Sequence, residues 1–121
     1  MRREGKSFTM DDRFAEQVRR LSEAVWDGPG DSAPALRRAV AERAASFGGR
    51  PTATAPEVPP ALLAYVDTVA RHAYKTTDAH VAALKQAGYS EDAIFELTLS
   101  AALGAGMARL ERGLAALKGE Q

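Results

Sequence analysis

Apolar residues in this chain recur every three to four positions and almost nowhere alternate, and that spacing commits it to helices rather than strands. Phe14, Val18, Leu21 and Val25 mark one face of a first helix, which stops at Gly28-Pro29-Gly30. Thr9 with Asp12 three residues later resembles a helix-opening cap. Asp31 or Ser32 caps a second helix, in which Pro34 is tolerated in the first turn. Leu36, Val40, Ala44 and Phe47 form the stripe of that helix, and Gly48-Gly49 ends it.

Arg50 to Pro60 holds four of the six prolines and little that can pack, so residues 50–60 read as a linker. It separates an N-terminal helical pair (9–49) from a second helical unit (61–118) within one domain spanning 1–121. Pro59-Pro60 opens a third helix with Leu62, Leu63, Val66, Val69 and Ala73 facing inward. The pattern hesitates from Tyr74 to Thr77, where Thr76 or Thr77 caps a fourth helix with Asp78 in its first turn. That helix packs Val81 and Leu84 and ends at Gly88. Ser90-Glu91-Asp92 starts a long closing helix carrying Ile94, Leu97, Ala101, Leu110, Leu114 and Leu117. Gly104 and Gly106 lie inside it, each costing roughly 1 kcal/mol relative to Ala. The small-residue face of Ala101, Gly104, Ala105 and Ala108 points to close helix contact, with a subunit interface as one place for it. The expected fold is all-α, about five to six helices, with a central helical hairpin from Pro60 to Ala87.

Sixteen basic residues balance sixteen acidic ones, so no electrostatic footprint for nucleic acid or an anionic membrane exists. The arginine pairs Arg2-Arg3, Arg19-Arg20 and Arg37-Arg38 read as solvated faces or tails. The longest uncharged run, Leu97 to Ala108, is too short to span a bilayer, and Met1 to Met10 lacks the apolar core of a signal peptide. There is no cysteine, hence no disulfide and no thiol chemistry in this chain. The expected location is cytoplasmic.

The stretch from Tyr65 to Leu117, YVDTVARHAYKTTDAHVAALKQAGYSEDAIFELTLSAALGAGMARLERGLAAL, resembles the carboxymuconolactone decarboxylase and alkylhydroperoxidase AhpD-like family. The resemblance implies a helical hairpin followed by a long helix, and a homo-oligomer: dimer, trimer or hexamer. The family's peroxidase branch carries Cys-x-x-Cys-x-x-x-His at the start of the second hairpin helix, with a glycine eight residues after the histidine and an acidic start to the next helix. His80, Gly88 and Ser90-Glu91-Asp92-Ala93-Ile94 stand at that spacing. The two cysteine positions are Ala73 and Thr76, and the relay glutamate twelve residues earlier is Ala61, with Glu57 one turn before it. Of the four relay positions only His80 remains, and peroxide reduction by the thiol route is excluded.

His80 is the candidate acid or base, because imidazole titrates near neutral pH; its plainer role is a polar residue in a helix first turn. Tyr65, Arg71, His72, Tyr74 and Lys75 are candidate ligand-binding residues around the hairpin, with Arg71 as carboxylate clamp. Asp67 or Asp78 could add a ligand to the two histidines, but no metal-binding spacing matches, so no metal and no cofactor is expected. Trp26 reads as a core or interface anchor. The expected function is that of a divergent AhpD-like protein without peroxidase activity, binding a small ligand or serving as an oligomeric structural or regulatory protein. The alternative is a cysteine-independent, decarboxylase-like enzyme acting on a small lactone or ring carboxylic acid through His80.

Overall fold

The computed structural model describes residues 10–49 and 57–119, and every regular element among them is helical. The elements are α1 (Met10–Asp27), α2 (Pro34–Phe47), α3 (Pro60–His72), a 3-10 turn (Ala73–Lys75), α4 (Asp78–Gln86) and α5 (Glu91–Leu117). The all-α expectation, with a long closing helix, is met. The Thr9 cap, the Arg2-Arg3 pair and linker residues 50–56 lie outside the described residues.

The boundaries follow local chemistry. Pro60 occupies the first turn of α3, where its missing N–H costs nothing. Gly49 and Gly88 take φ of +101° and +105° just beyond α2 and α4, a conformation that a side chain resists. Ser90 caps α5 by accepting from the Ala93 N–H, and Glu91 and Asp92 favour the positive end of its dipole. One expectation fails at α2. Its N-cap is Ala33, with no side-chain cap, because the Ser32 hydroxyl is drawn instead to the Glu96 carboxylate.

The core assembles around α5. Val40 and Ala44 of α2, Leu62, Val66 and Val69 of α3, Leu84 of α4, and Ile94, Leu97, Ala101 and Ala105 of α5 form one buried cluster. At Gly104 any Cβ would collide with the backbone of Ala41, so this glycine permits α2 and α5 to touch. The close contact expected of the Ala101–Ala108 face is therefore made within the chain, not across a subunit boundary.

Four of the expected apolar positions face outward. Phe14 and Leu21 of α1 are mostly exposed, and Ser22 and Trp26 are buried in their place. Ala73 is exposed because α3 ends at His72 and the chain tightens into the 3-10 turn; Tyr65 and Ala70 join the α3 core face instead. Leu117 is also exposed. By length and composition α5 could cross a membrane, yet half of its apolar stretch is buried against the other helices.

Candidate functional site

The turn between α3 and α4, with the first turn of α4, holds Thr76, Thr77 and His80. The Thr76 hydroxyl donates to the Ala73 carbonyl at 2.8 Å and closes the 3-10 turn, so Thr77 is the N-cap of α4. The His80 N–H reaches Thr77 Oγ1 at 3.4 Å, and His80 Nδ1 accepts from the Thr77 N–H at 3.0 Å. This is a capping box with histidine in the place that Glu or Gln ordinarily fills. Two backbone donors are satisfied reciprocally, and Nδ1 is occupied in doing so.

Behind the box lies Tyr65, its ring centroid 6.3 Å from the imidazole. Thr98 Oγ1 donates to the Ile94 carbonyl at 2.7 Å, which leaves the Tyr65 O–H to donate to Thr98 Oγ1 at 2.7 Å. The buried phenol is thus satisfied inside the fold.

The remaining candidates separate from this pair. Tyr74 is 80% exposed, flanked by His72 at 5.8 Å and by Lys75 Nζ at 5.9 Å from its ring. Arg71 lies over the Phe47 ring at 5.4 Å, on the α2 side, where Arg43 stacks at the same distance. Asp67 takes a bidentate pair from Arg43, at 2.9 and 2.7 Å. The structure therefore brings together Tyr65 with His80, and His72 with Tyr74 and Lys75, but not the two groups with Arg71. Ala61 and Ala73 are exposed. A cleft of about 500 Å³ is bordered by Arg43, Glu57, Val58 and Leu63, away from His80. Among the described residues no group of three or more His, Cys, Asp or Glu is arranged to hold a metal ion.

No family model, no curated protein and no solved structure matches this chain.

A second polar centre was not foreseen. Arg37 is 2% exposed, not solvated as an arginine pair suggests, and its guanidinium donates to the carbonyls of Val25 and Gly28 at 2.6 Å and of Ser32 at 3.1 Å. It so satisfies the C-terminal end of α1, where the helix dipole also favours a cation. Its Nε has no partner. Glu96 of α5 completes the lock from the other side. It accepts from the Ser32 hydroxyl at 2.6 Å and from the Ser32 and Asp31 N–H groups at 2.8 and 2.9 Å. The Ser32 hydroxyl above all, with the two N–H groups and the Arg37 charge, holds the Glu96 carboxyl below its ordinary pKa against the cost of desolvation. Trp26 is buried beside this junction, and its indole N–H points to the Ser100 carbonyl at 3.4 Å. The signal for Arg37 was its spacing. It stands three, four and seven residues before Val40, Ala41 and Ala44, on the buried face of α2.

Proposed function

We propose that this chain is a divergent AhpD-like helical protein without peroxidase or other catalytic activity, acting in the cytoplasm as a structural or regulatory module through its helix surfaces. The observation that carries this reading is the use of His80. A general base needs a free ring nitrogen aimed at a substrate. Here Nδ1 accepts from the Thr77 N–H, which puts the proton of the neutral ring on Nε2 and leaves no free basic nitrogen, and the neighbouring phenol is tied to Thr98. The carboxylate-binding side chains that a decarboxylase-like site would recruit point elsewhere, Arg71 to Phe47 and Lys75 to Tyr74.

The test is turnover. Purified protein is incubated with hydrogen peroxide and dithiothreitol, and separately with a panel of small lactone and ring carboxylic acids, while peroxide loss and carbon dioxide release are followed. Neither should exceed the protein-free rate. Release of carbon dioxide that disappears in a folded His80→Gln variant would restore the enzymatic reading.

A further inference from the structure

We infer that the C-terminal end of α2 is a binding site for a small phosphate-bearing ligand. Four arginines from three helices meet there. Arg43 of α2 and Arg71 of α3 each hold the guanidinium carbon 5.4 Å from the centre of the Phe47 ring. Arg109 of α5 lies against Gly48, where a Cβ would come within 3.3 Å of its Cγ, and its guanidinium donates to the Ala70 carbonyl at 2.7 Å. Arg112 of α5 crosses Gly49, where a Cβ would fall 2.6 Å from its Nη1. Gly49 (φ +101°) therefore does more than end a helix, since its bare backbone leaves room for a guanidinium. Phe47, Gly48 and Gly49 are consecutive, so these contacts are gathered along at most about 7.6 Å of backbone. Arg71, Arg109 and Arg112 are exposed, and among the described residues none of the three meets a carboxylate.

The charge balance says what is missing. Asp67 answers Arg43 and is fully engaged by it. A helix C-terminus is worth about half a negative charge, and α2 and α3 both end here. Four cations against Asp67 and two helix ends leave about two positive charges uncompensated. The neighbouring acids are engaged elsewhere: Glu42 acts on Arg38, and Glu111 reaches Arg19 of α1 at 3.9 Å. Glu57 precedes the first turn of α3, about 16 Å along the axis from Arg71 in its last. Sixteen cations and sixteen anions balance over the whole chain, so the excess is local to this end. Capping of a helix end accounts for Arg109 alone. A phosphate monoester matches the deficit, with a charge of about −1.5 to −2 near neutral pH and three acceptor oxygens. Guanidinium forks that arrive from α3 and α5 approach a tetrahedral group from different sides, which a planar carboxylate does not allow.

Binding is read independently of turnover, so its failure would leave the proposed function standing. Isothermal titration of the full chain with glycerol 3-phosphate, at constant ionic strength, should saturate at one equivalent with a Kd below about 1 mM. Arg71→Gln and Arg112→Gln should each raise that Kd by about tenfold, with the helical circular dichroism and Tm of the parent. Arg20→Gln, on the exposed face of α1, should leave it unchanged. Malonate, a dicarboxylate of similar charge, should bind about tenfold or more weakly than the phosphate. Heat that never saturates overturns the inference, as does equal affinity for malonate. So does a Kd indifferent to both Arg71→Gln and Arg112→Gln, or one that Arg20→Gln raises as much, since the phosphate would then be an adventitious ion only.

Discussion

If His80 is a capping residue, its replacements should rank by their ability to cap, and that ranking separates it from a catalytic histidine. The box contains one contact in each direction, from the His80 N–H to the Thr77 hydroxyl and from the Thr77 N–H to His80 Nδ1. Removing an N-cap side chain costs about 1 kcal/mol, within roughly 0.5–2. The 3.4 Å contact of the threonine hydroxyl is long, which puts Thr77→Ala near the lower end, at about 0.5–1 kcal/mol. His80→Ala leaves the Thr77 N–H to water and also strips the imidazole from beside Tyr65, so about 1 kcal/mol is expected. Glutamine is an ordinary residue at this position of a capping box, so His80→Gln should stay within about 0.5 kcal/mol of the parent. For a chain of this length 1 kcal/mol corresponds to a Tm shift of about 4 °C. Thermal unfolding followed by circular dichroism should therefore order the proteins as parent and His80→Gln together, then Thr77→Ala and His80→Ala. Equal losses for Gln and Ala would refute the capping argument, because a box that glutamine cannot complete is not what holds the turn.

Three further outcomes probe the packing and the polar lock. Gly104→Ala drives a Cβ into the Ala41 backbone and should cost about 1–3 kcal/mol by thermal or urea unfolding, although alanine is the better helix former. Arg37→Met abandons three backbone carbonyls in the core and should cost about 3 kcal/mol or more, readable as a fall in Tm of about 10 °C. Folding lowers the Glu96 pKa, so its contribution is complete above the ordinary glutamate value of about 4.3 and is lost as pH falls through the folded value. Urea midpoints measured between pH 6 and pH 3 should drop in the parent and drop less in Glu96→Gln, with a difference of about 1 kcal/mol for this partly exposed group.

The starts of α3, α4 and α5 and the end of α4 were legible because each is written in residues whose preferences are local. Pro60, Gly88, Thr77 and Ser90 act within one turn of their own position. Which face each helix buries was less legible, because that depends on partners far along the chain. On α1 the spacing of Phe14, Val18, Leu21 and Val25 is as regular as a core stripe can be, yet Ser22 and Trp26 are what is buried, Trp26 against Ser100 of α5. Arg37 was misread for the same reason. A charged residue on an apolar face looks like an intrusion until the carbonyls at the end of α1 arrive to receive it. The candidate site was legible only as a set of positions. His80 and Tyr65 do come near each other, but where Arg71 points is decided by Phe47, on a helix that no hairpin motif includes.

Two of the three glycines of α5 show how similar letters acquire opposite meanings. Gly104 and Gly106 stand two residues apart, hence on faces roughly 160° apart. Their cost in helix propensity is about the same, roughly 1 kcal/mol each relative to Ala. At Gly104 that cost is offset inside the chain, since the glycine lets Ala41 approach and buries the α2–α5 contact. Gly106 recovers nothing from its own chain, and neither does Gly113. Single substitutions to alanine should therefore move stability in opposite directions: down for Gly104, and up by about 0.5–1 kcal/mol for Gly106. Urea unfolding of the two variants beside the parent reads both signs, and a loss of stability in Gly106→Ala would refute the argument, because the space beside that glycine would then not be free.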